Sequence, residues 1–252
     1  MRSYDQQARL RFTGSWLKHH LTRHIRLFRK FKYGFTLAEV LITLGVIGVI
    51  SAITIPQLIA NYQKQITVTQ LKAAYQIFSE AIERAKLDFG DPILIPSDIV
   101  LSYAGYSDST DKILELYINP YILGVEKYKG KNISILTKSK ERTYIIPNYD
   151  HAYCVPQKGF CYVIWNHTSN YRYLFVDING SKGPNIAGRD VFVFDLSPAQ
   201  KAPTFVITGL GLIGSDTYKK CNHNGNNDAW NGVTCARDII LNGWKVPDDY
   251  PW

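Results

Sequence analysis

An uncharged run of 24 residues, from Val40 to Gln63, is the feature that most constrains what this chain can form. Its first 16 residues, VLITLGVIGVISAITI, are apolar apart from three hydroxyl side chains. An α-helix rises about 1.5 Å per residue, and about 20 apolar residues cross the hydrocarbon core of a bilayer. The run is therefore long enough to span a membrane as a helix.

Formal charge is concentrated in front of this run. The sequence has 29 Lys and Arg against 21 Asp and Glu, a net charge of +8. Residues 1–34 hold nine of the basic residues and one of the acidic ones, so the rest of the chain is formally neutral. Basic flanks stay on the cytoplasmic side of a membrane helix. The pattern predicts a cytoplasmic N-terminus and a neutral head outside the membrane, which disfavours nucleic acid as a partner.

A cleaved secretory signal peptide has the same order of a basic and an apolar region. Its cleavage site requires small residues after the apolar region. Here the run leads into Pro56, and Leu58 stands where a small residue is needed. The sequence therefore favours an uncleaved anchor over simple signal-peptide cleavage.

The junction between the basic arm and the apolar run is more specific. Gly34 is followed directly by FTLAE and then by the run. This pattern resembles the processing motif of the type IV pilin and type II secretion pseudopilin superfamily. The resemblance implies that a prepilin peptidase cuts between Gly34 and Phe35 and methylates the new N-terminus. Residues 1–34 then form a removed leader, longer than the leaders of many members.

The resemblance also implies a role, a location and partners. It implies a structural subunit rather than an enzyme, stored in the bacterial inner membrane as a single-pass protein. Other pilin or pseudopilin subunits and an inner-membrane assembly platform are its implied partners. The resulting filament lies in the periplasm or at the cell surface. Pilus and pseudopilus subunits are not distinguished by these residues, and a minor pilin whose head binds DNA or a surface ligand is the alternative.

Glu39 is the one charged residue between Phe35 and Gln63. A carboxylate in a membrane helix costs about 2.5 kcal/mol or more near the centre and is usually functional. The resemblance implies that Glu39 pairs with the new amine of a neighbouring subunit during assembly. The alternative is that Glu39, close to the interface, reaches the lipid headgroups.

Gly48 and Pro56 interrupt the apolar run. Proline lacks an amide donor and clashes with the preceding turn, so we expect the helix to weaken just before Pro56. The resemblance implies that the segment between these two residues melts when subunits enter a filament. A simple kink is the alternative.

The predicted fold class is α+β, with a long N-terminal helix packed on an antiparallel sheet, as in pilins. Residues 35–60 form the membrane and assembly half of the helix, and residues 61–90 form an amphipathic half that ends at Gly90. The head comprises residues 91–252, with short helices and loops over residues 93–130. Strand-like runs separated by turn residues follow at 133–137, 143–146, 161–165, 171–178, 191–196 and 204–208.

Four cysteines lie in the head, where disulfides persist if the head is outside the cytoplasm. Three connectivities are available, and we predict the pairing of sequence neighbours, Cys154 with Cys161 and Cys221 with Cys235. Four buried thiols are the alternative. The spacing shows no C-x-x-C pattern of a zinc site.

A Gly-rich segment carries the oxygen donors that Ca²⁺ prefers, at Asp177, Asn179, Ser181 and Asp190. It lacks the EF-hand pattern. The alternative to a calcium site is a hairpin loop in which Asn179-Gly180 makes a tight turn and polar side chains cap backbone amides. No other cofactor is expected.

Two further features of the head have functional interpretations. Basic residues between Lys127 and Arg142 are the one candidate DNA-binding cluster, and a solvated loop is the alternative. Trp244 and the aromatic C-terminal segment predict a patch that anchors the tail to the head, and an interaction site is the alternative. No nucleophile motif, P-loop or dinucleotide fingerprint occurs, so we expect no enzymatic activity.

Overall fold

The computed structural model describes residues 34–96, 99, 111–129, 134–136, 142–145, 151–168, 171–180, 182–183, 185–196, 206–213, 221, 232, 234–250 and 252. Within these residues, a long N-terminal helix is followed by an antiparallel sheet. The predicted α+β class is therefore confirmed.

Helix α1 spans Leu37–Phe89 and ends where the sequence predicts. Gly90 follows it with a φ of +94°, a left-handed conformation that favours glycine, and its amide donates to the Lys86 carbonyl at 2.8 Å. Pro56 lies inside the helix without ending it. The expected weakening therefore does not divide α1, because a proline removes one backbone donor while the flanking turns keep their own hydrogen bonds.

The chain divides into two compact units, with the boundary between Gln57 and Leu58 inside α1. In the first unit, the apolar side chains of α1 are exposed rather than packed in a core. By length and composition, α1 is the one helix of the described residues that can cross a membrane.

The second unit contains the sheet. In the described part of the chain, six strands form one antiparallel sheet in the order β10-β8-β7-β6-β5-β2, and two further pairs are β1 with β9 and β3 with β4. The strands are β1 Ile93–Leu94, β2 Glu126–Lys129, β3 Ser134–Leu136, β4 Arg142–Ile145, β5 His151–Val155, β6 Phe160–Thr168, β7 Tyr171–Asp177, β8 Val191–Asp195, β9 Val206–Ile207 and β10 Gly211–Leu212.

All six strand-like runs predicted from the sequence overlap strands of the structure. The predicted short helices appear as a π-helical turn, Leu114–Ile118, and a 3-10 turn, Asn119–Tyr121. Strands β1, β2, β5 and β10 and a C-terminal helix, α2, which spans Cys235–Leu241, are not predicted from the sequence.

One face of α1 packs on the sheet. Leu71, Phe78 and Ile82 are almost completely buried there, and Ala74, Ala81 and Ala85 let the helix approach closely. The ring of Phe78 meets the ring of Tyr162 on β6 edge to face, with centroids 4.8 Å apart. Burial of a side chain as large as Phe78 stabilises a fold by about 1.5–3 kcal/mol.

Strands β6 to β8 are buried on both faces. Alternate residues, such as Phe192 and Phe194, face the core under α1, whereas Val191 and Val193 belong to a second apolar cluster. Two-sided burial explains why these strands have continuous apolar sequences, which sequence patterns detect easily.

Candidate processing and assembly site

Thr36 and Glu39 form a capping box at the start of α1. The backbone N–H of Thr36 donates to Glu39 Oε2 at 2.8 Å, and the Thr36 hydroxyl donates to the same oxygen at 2.9 Å. In return, the backbone N–H of Glu39 donates to Thr36 Oγ1 at 3.2 Å. These bonds satisfy amides that a helix start leaves without partners. The carboxylate also lies at the positive end of the helix dipole.

This capping box gives Glu39 a partner within its own chain. From the sequence, Glu39 was expected to pair with an amine of a neighbouring subunit or to reach the lipid headgroups, although the Thr-x-x-Glu spacing is itself a signal for a capping box. The pairing with a neighbouring amine stays a prediction. Any such amine meets a carboxylate that already accepts two hydrogen bonds from Thr36.

The predicted cleavage site lies just before this cap. Residues 34–36 have no regular secondary structure, and the Phe35 side chain is 87% exposed. A Cβ placed on Gly34 would meet no other atom within 4 Å. The bond between Gly34 and Phe35 therefore lies on an exposed segment without regular secondary structure, directly in front of the helix.

Gly48 and Pro56, the other predicted assembly residues, both lie within α1. A Cβ on Gly48 would meet nothing within 4 Å. Among the described residues, no intramolecular packing thus requires a glycine at this position. Their role in assembly stays a prediction.

The segment proposed to bind calcium is the loop between β7 and β8, residues 178–190, together with Asp177. The backbone N–H of Asn179 donates to Asp177 Oδ1 at 3.2 Å, and the backbone N–H of Gly180 donates to the Asp177 carbonyl at 3.3 Å. Gly180 has a φ of +68°. These contacts form the tight turn of the alternative interpretation.

Asp190 lies at the other end of this loop and accepts a hydrogen bond from the Ile186 amide at 3.3 Å. Burial raises the pKa of the Asp190 carboxyl, opposed by this bond and by the Asn179 side chain. Asn179 Oδ1 is buried and accepts no hydrogen bond from the described residues. A buried acceptor of this kind fits a cation. However, the described residues contain no group of three or more His, Cys, Asp or Glu side chains that could hold a metal ion. Ser181, the fourth predicted ligand, lies outside the described residues.

The structure contains the disulfides Cys154–Cys161 and Cys221–Cys235, and the described residues include no free cysteine. The first joins directly facing residues of β5 and β6. The second holds residue 221 to the first residue of α2. The prediction of disulfides is confirmed.

Both disulfides pack against the β7–β8 loop. A Cβ on Gly180 would lie 3.7 Å from Cys161 Sγ, and one on Gly188 would lie 2.5 Å from Cys235 Sγ. Gly188 also has a φ of +77°. The two ends of the loop are therefore fixed between two disulfide sulfurs, an arrangement that sequence spacing alone does not reveal.

The C-terminal aromatic residues hold the same loop. The Tyr250 hydroxyl donates to the Gly188 carbonyl, and burial raises the pKa of that hydroxyl. The Arg189 guanidinium lies over the Trp252 ring, 5.4 Å from its centroid, and donates to Gln63 Oε1 at 3.4 Å. The prediction that the aromatic tail anchors to the head is confirmed.

In the described part of the basic cluster proposed to bind DNA, Lys127 is paired with two carboxylates. Lys127 Nζ lies 3.0 Å from Asp111 Oδ2 and 2.8 Å from Glu115 Oε1. Burial disfavours the charged form and by itself lowers the pKa of Lys127. The two carboxylates have the larger combined effect, so the pKa is raised overall. The lysines at 131, 138 and 140 lie outside the described residues. The charge of Lys127 is thus neutralised within the head.

Comparison with protein families divides the chain in two. The model of the prokaryotic N-terminal methylation motif matches residues 29–55, and this motif is the signature of type IV pilins and pseudopilins. The chain is therefore prepilin-like. The model of a family of unknown function (DUF6613) matches residues 57–252, most of the chain, and the chain belongs to this family. No curated protein and no solved structure matches it.

The border between the two matches falls where the structure divides into its two units. The N-terminal methylation motif thus precedes a head that the model of the second family covers.

Proposed function

We propose that this protein is a membrane-stored prepilin-like subunit. A prepilin peptidase cleaves it after Gly34 and methylates Phe35, and the mature chain assembles through α1 into a type IV pilus or a type II secretion pseudopilus. The observation that carries this proposal is the methylation motif at residues 29–55, directly in front of a helix that can cross a membrane.

The geometry of the helix start supports cleavage at Gly34. The cut leaves the capping box intact, because both its members, Thr36 and Glu39, lie on the mature side. The new amine at Phe35 is separated from the box by one peptide bond. Processing therefore adds a positive charge beside a formed helix start without unfolding it.

The exposed apolar surface of α1 supports assembly. Leu41, Ile47 and Ile53 are each at least 60% exposed in the single chain. A surface of this kind is stable only in lipid or against other apolar helices. Storage in the inner membrane with an extracytoplasmic head, followed by helix packing in a filament, provides these two environments in turn.

The disulfides support an extracytoplasmic head, because such bonds persist in oxidising compartments and are rare in the cytoplasm. The orientation agrees with the basic leader, which stays inside. The inner-membrane assembly platform is the partner that then moves subunits from the membrane into the filament.

Co-expression with an active or an inactive prepilin peptidase tests the proposal. The expected product with the active enzyme begins at Phe35 and carries one added methyl group, as measured by mass spectrometry of the intact chain. Gly34→Val should abolish cleavage, and since a Cβ at this position meets no other atom, the loss would reflect recognition rather than strain. Ser79→Ala, far along α1, is a control expected to be processed normally.

Assembly is measured in cells that also express a pilus or a pseudopilus platform. We expect sheared or sedimented filaments to contain the chain with one of the two platforms, and this identifies the system. A chain that keeps its leader with the active peptidase, or that never enters a filament with either platform, would contradict the proposal.

A further inference from the structure

Three cations lie over tryptophan rings on one side of the head. Lys64 Nζ is 6.0 Å from the centroid of the Trp252 ring, and the Arg189 guanidinium is 5.4 Å from the same centroid. Further along α1, Lys72 Nζ is 5.7 Å from the centroid of the Trp244 ring. Cations bind to the faces of aromatic rings through the ring quadrupole, and tryptophan is the strongest such partner.

None of these three cations forms an ion pair within the described residues. The basic residues at the far end of α1 behave differently, because Arg84 pairs with Glu80 and Lys86 pairs with Glu83. For Lys64 and Lys72 the difference follows from the sequence, which has no acidic residue from Val40 to Ser79. These two lysines therefore present positive charge without an acidic residue on the neighbouring turns of α1.

Lys64 also has a special position along the chain. It ends the uncharged run, and it is the first charged residue after Glu39. About 20 residues of such a run cross the hydrocarbon core, so the first charge beyond it lies at the lipid headgroups. Tryptophan is enriched at this depth because its ring is apolar and its N–H is polar.

An anionic headgroup complements this group of residues. A phosphate diester accepts hydrogen bonds from guanidinium and ammonium groups, and guanidinium binds it in a two-pronged geometry. Arg189 donates to Gln63 through one terminal nitrogen, and Trp252 holds the guanidinium plane from one side. The Arg189 guanidinium has further N–H donors, and although it acts electrostatically on the neighbouring Asp190 carboxyl, neither it nor Lys64 forms an ion pair within the described residues.

We infer that Lys64, Arg189 and Trp252 form a binding site for the phosphate of an anionic phospholipid at the outer surface of the membrane. The inference rests on the proposed membrane anchoring of α1. The site holds the head against the membrane while the subunit is stored, and extraction into a filament requires its release.

The test uses the full chain in nanodiscs of phosphatidylcholine alone or of phosphatidylcholine mixed with phosphatidylglycerol. Lysines are acylated for a short time with an amine-reactive reagent and quantified by peptide mass spectrometry. We expect Lys64 to react about threefold more slowly in the anionic nanodiscs, and high salt to remove the difference. Lys72 lies about 12 Å further along the helix, beyond the Debye length at physiological salt, and should be protected much less.

The variant Arg189→Gln distinguishes a specific phosphate site from a general effect of the membrane surface potential on Lys64. Surface potential acts on Lys64 whether or not Arg189 is present, whereas a shared phosphate needs both. We expect R189Q to reduce the protection of Lys64 to the level seen at Lys72. Lys182→Gln removes an exposed cation from the same loop and is the matched control, which should keep the protection. Thermal unfolding of both variants checks that the head stays folded.

A further arm distinguishes lipid from free phosphate. Soluble glycerol phosphate added to phosphatidylcholine nanodiscs should not protect Lys64, because it lacks the anchoring of the lipid at the surface. Equal protection by the soluble compound, or unchanged protection in R189Q, would overturn the inference while the membrane anchor stands. A chain that inserts into neither nanodisc would contradict the proposed anchoring and this inference together.

Discussion

Thr36 and Glu39 exchange three hydrogen bonds at the start of α1, so the one carboxylate of the membrane segment also caps its helix. A membrane helix must satisfy its first amides, because no water reaches them in the bilayer core. The structure shows Glu39 in the capping role, and the role in assembly that we propose for it needs a different property. Capping needs an acceptor oxygen, whereas pairing with an amine of a neighbouring subunit needs a negative charge.

Thr36→Val tests the capping role. Valine keeps the shape of threonine but removes the hydroxyl, so the helix start should lose about 1 kcal/mol of stability. Amide hydrogen exchange over residues 37–40 of the chain in nanodiscs should become about fivefold faster, the factor that 1 kcal/mol represents. Thr43→Val is the matched control, because the Thr43 hydroxyl donates to the Val40 carbonyl at 3.0 Å within the helix and caps nothing. Equal exchange rates in wild type and T36V would exclude the capping role.

Glu39→Gln separates charge from capping. Glutamine also serves as the third residue of a capping box, so the helix start and cleavage after Gly34 should be preserved. The variant has no charge to pair with an amine, and we expect its incorporation into filaments to fall at least tenfold. The readout is the ratio of filament to membrane pools for cleaved chains. Glu39→Ala, which loses both functions, should show the same loss of incorporation and faster exchange at residues 37–40. If E39Q entered filaments as well as wild type, the charge-pairing role would be excluded.

Much of the fold follows from the sequence because its signals are long or repeated. The end of α1 at Gly90 and the strands β6, β7 and β8 were predictable, since a helix of this length and buried apolar strands have unambiguous patterns. Strand β2 was not predictable, because its sequence EKYK has no apolar run. It forms a strand only through its hydrogen bonds with β5. Two-residue strands such as β1 and β10 likewise exist only through their partners.

The processing motif of the candidate site was predictable from the sequence, whereas the contacts of the β7–β8 loop were not. Gly34, Phe35 and Glu39 stand in one local pattern that the sequence displays directly. By contrast, the packing of Gly188 against Cys235 joins residues 47 positions apart, and it depends on how α2 meets the sheet. No periodicity or spacing encodes such a contact.

Gly188→Ala tests the packing of the β7–β8 loop against the second disulfide. The new Cβ would meet Cys235 Sγ at 2.5 Å and would also require a left-handed backbone, so we expect a loss of about 2–4 kcal/mol in the free energy of unfolding. Gly159→Ala is the matched control, since Gly159 has a nearly equal φ of +76° but open space around it, and it should lose only about 1–2 kcal/mol.

Denaturant unfolding of the two variants in detergent measures this difference. With the disulfides reduced, the sulfur of Cys235 is freed to move, and the excess cost of G188A over G159A should shrink. Equal losses in the two variants would mean that backbone strain alone acts at Gly188. The loop would then not depend on its contact with the disulfide.

Calcium binding by Asp177, Asn179 and Asp190 is tested by thermal unfolding. Asn179 Oδ1 is buried and accepts no hydrogen bond from the described residues, so a cation there would satisfy an acceptor that otherwise destabilises the loop. We expect calcium at a hundred times its dissociation constant to stabilise the head by about 2.7 kcal/mol relative to a chelator.

Magnesium should give a smaller shift in melting temperature, because it requires a tighter octahedral site than a flexible loop provides. Asp190→Asn removes one charged ligand and should abolish the calcium shift. It should leave the fold intact, because the asparagine oxygen still accepts from the Ile186 amide. Asp248→Asn, an exposed carboxylate near the C-terminus, is the control that should keep the shift. A melting temperature that changes with neither calcium nor chelator would leave the Asp177 and Asp190 carboxylates only as side-chain acceptors for backbone N–H groups of a hairpin loop.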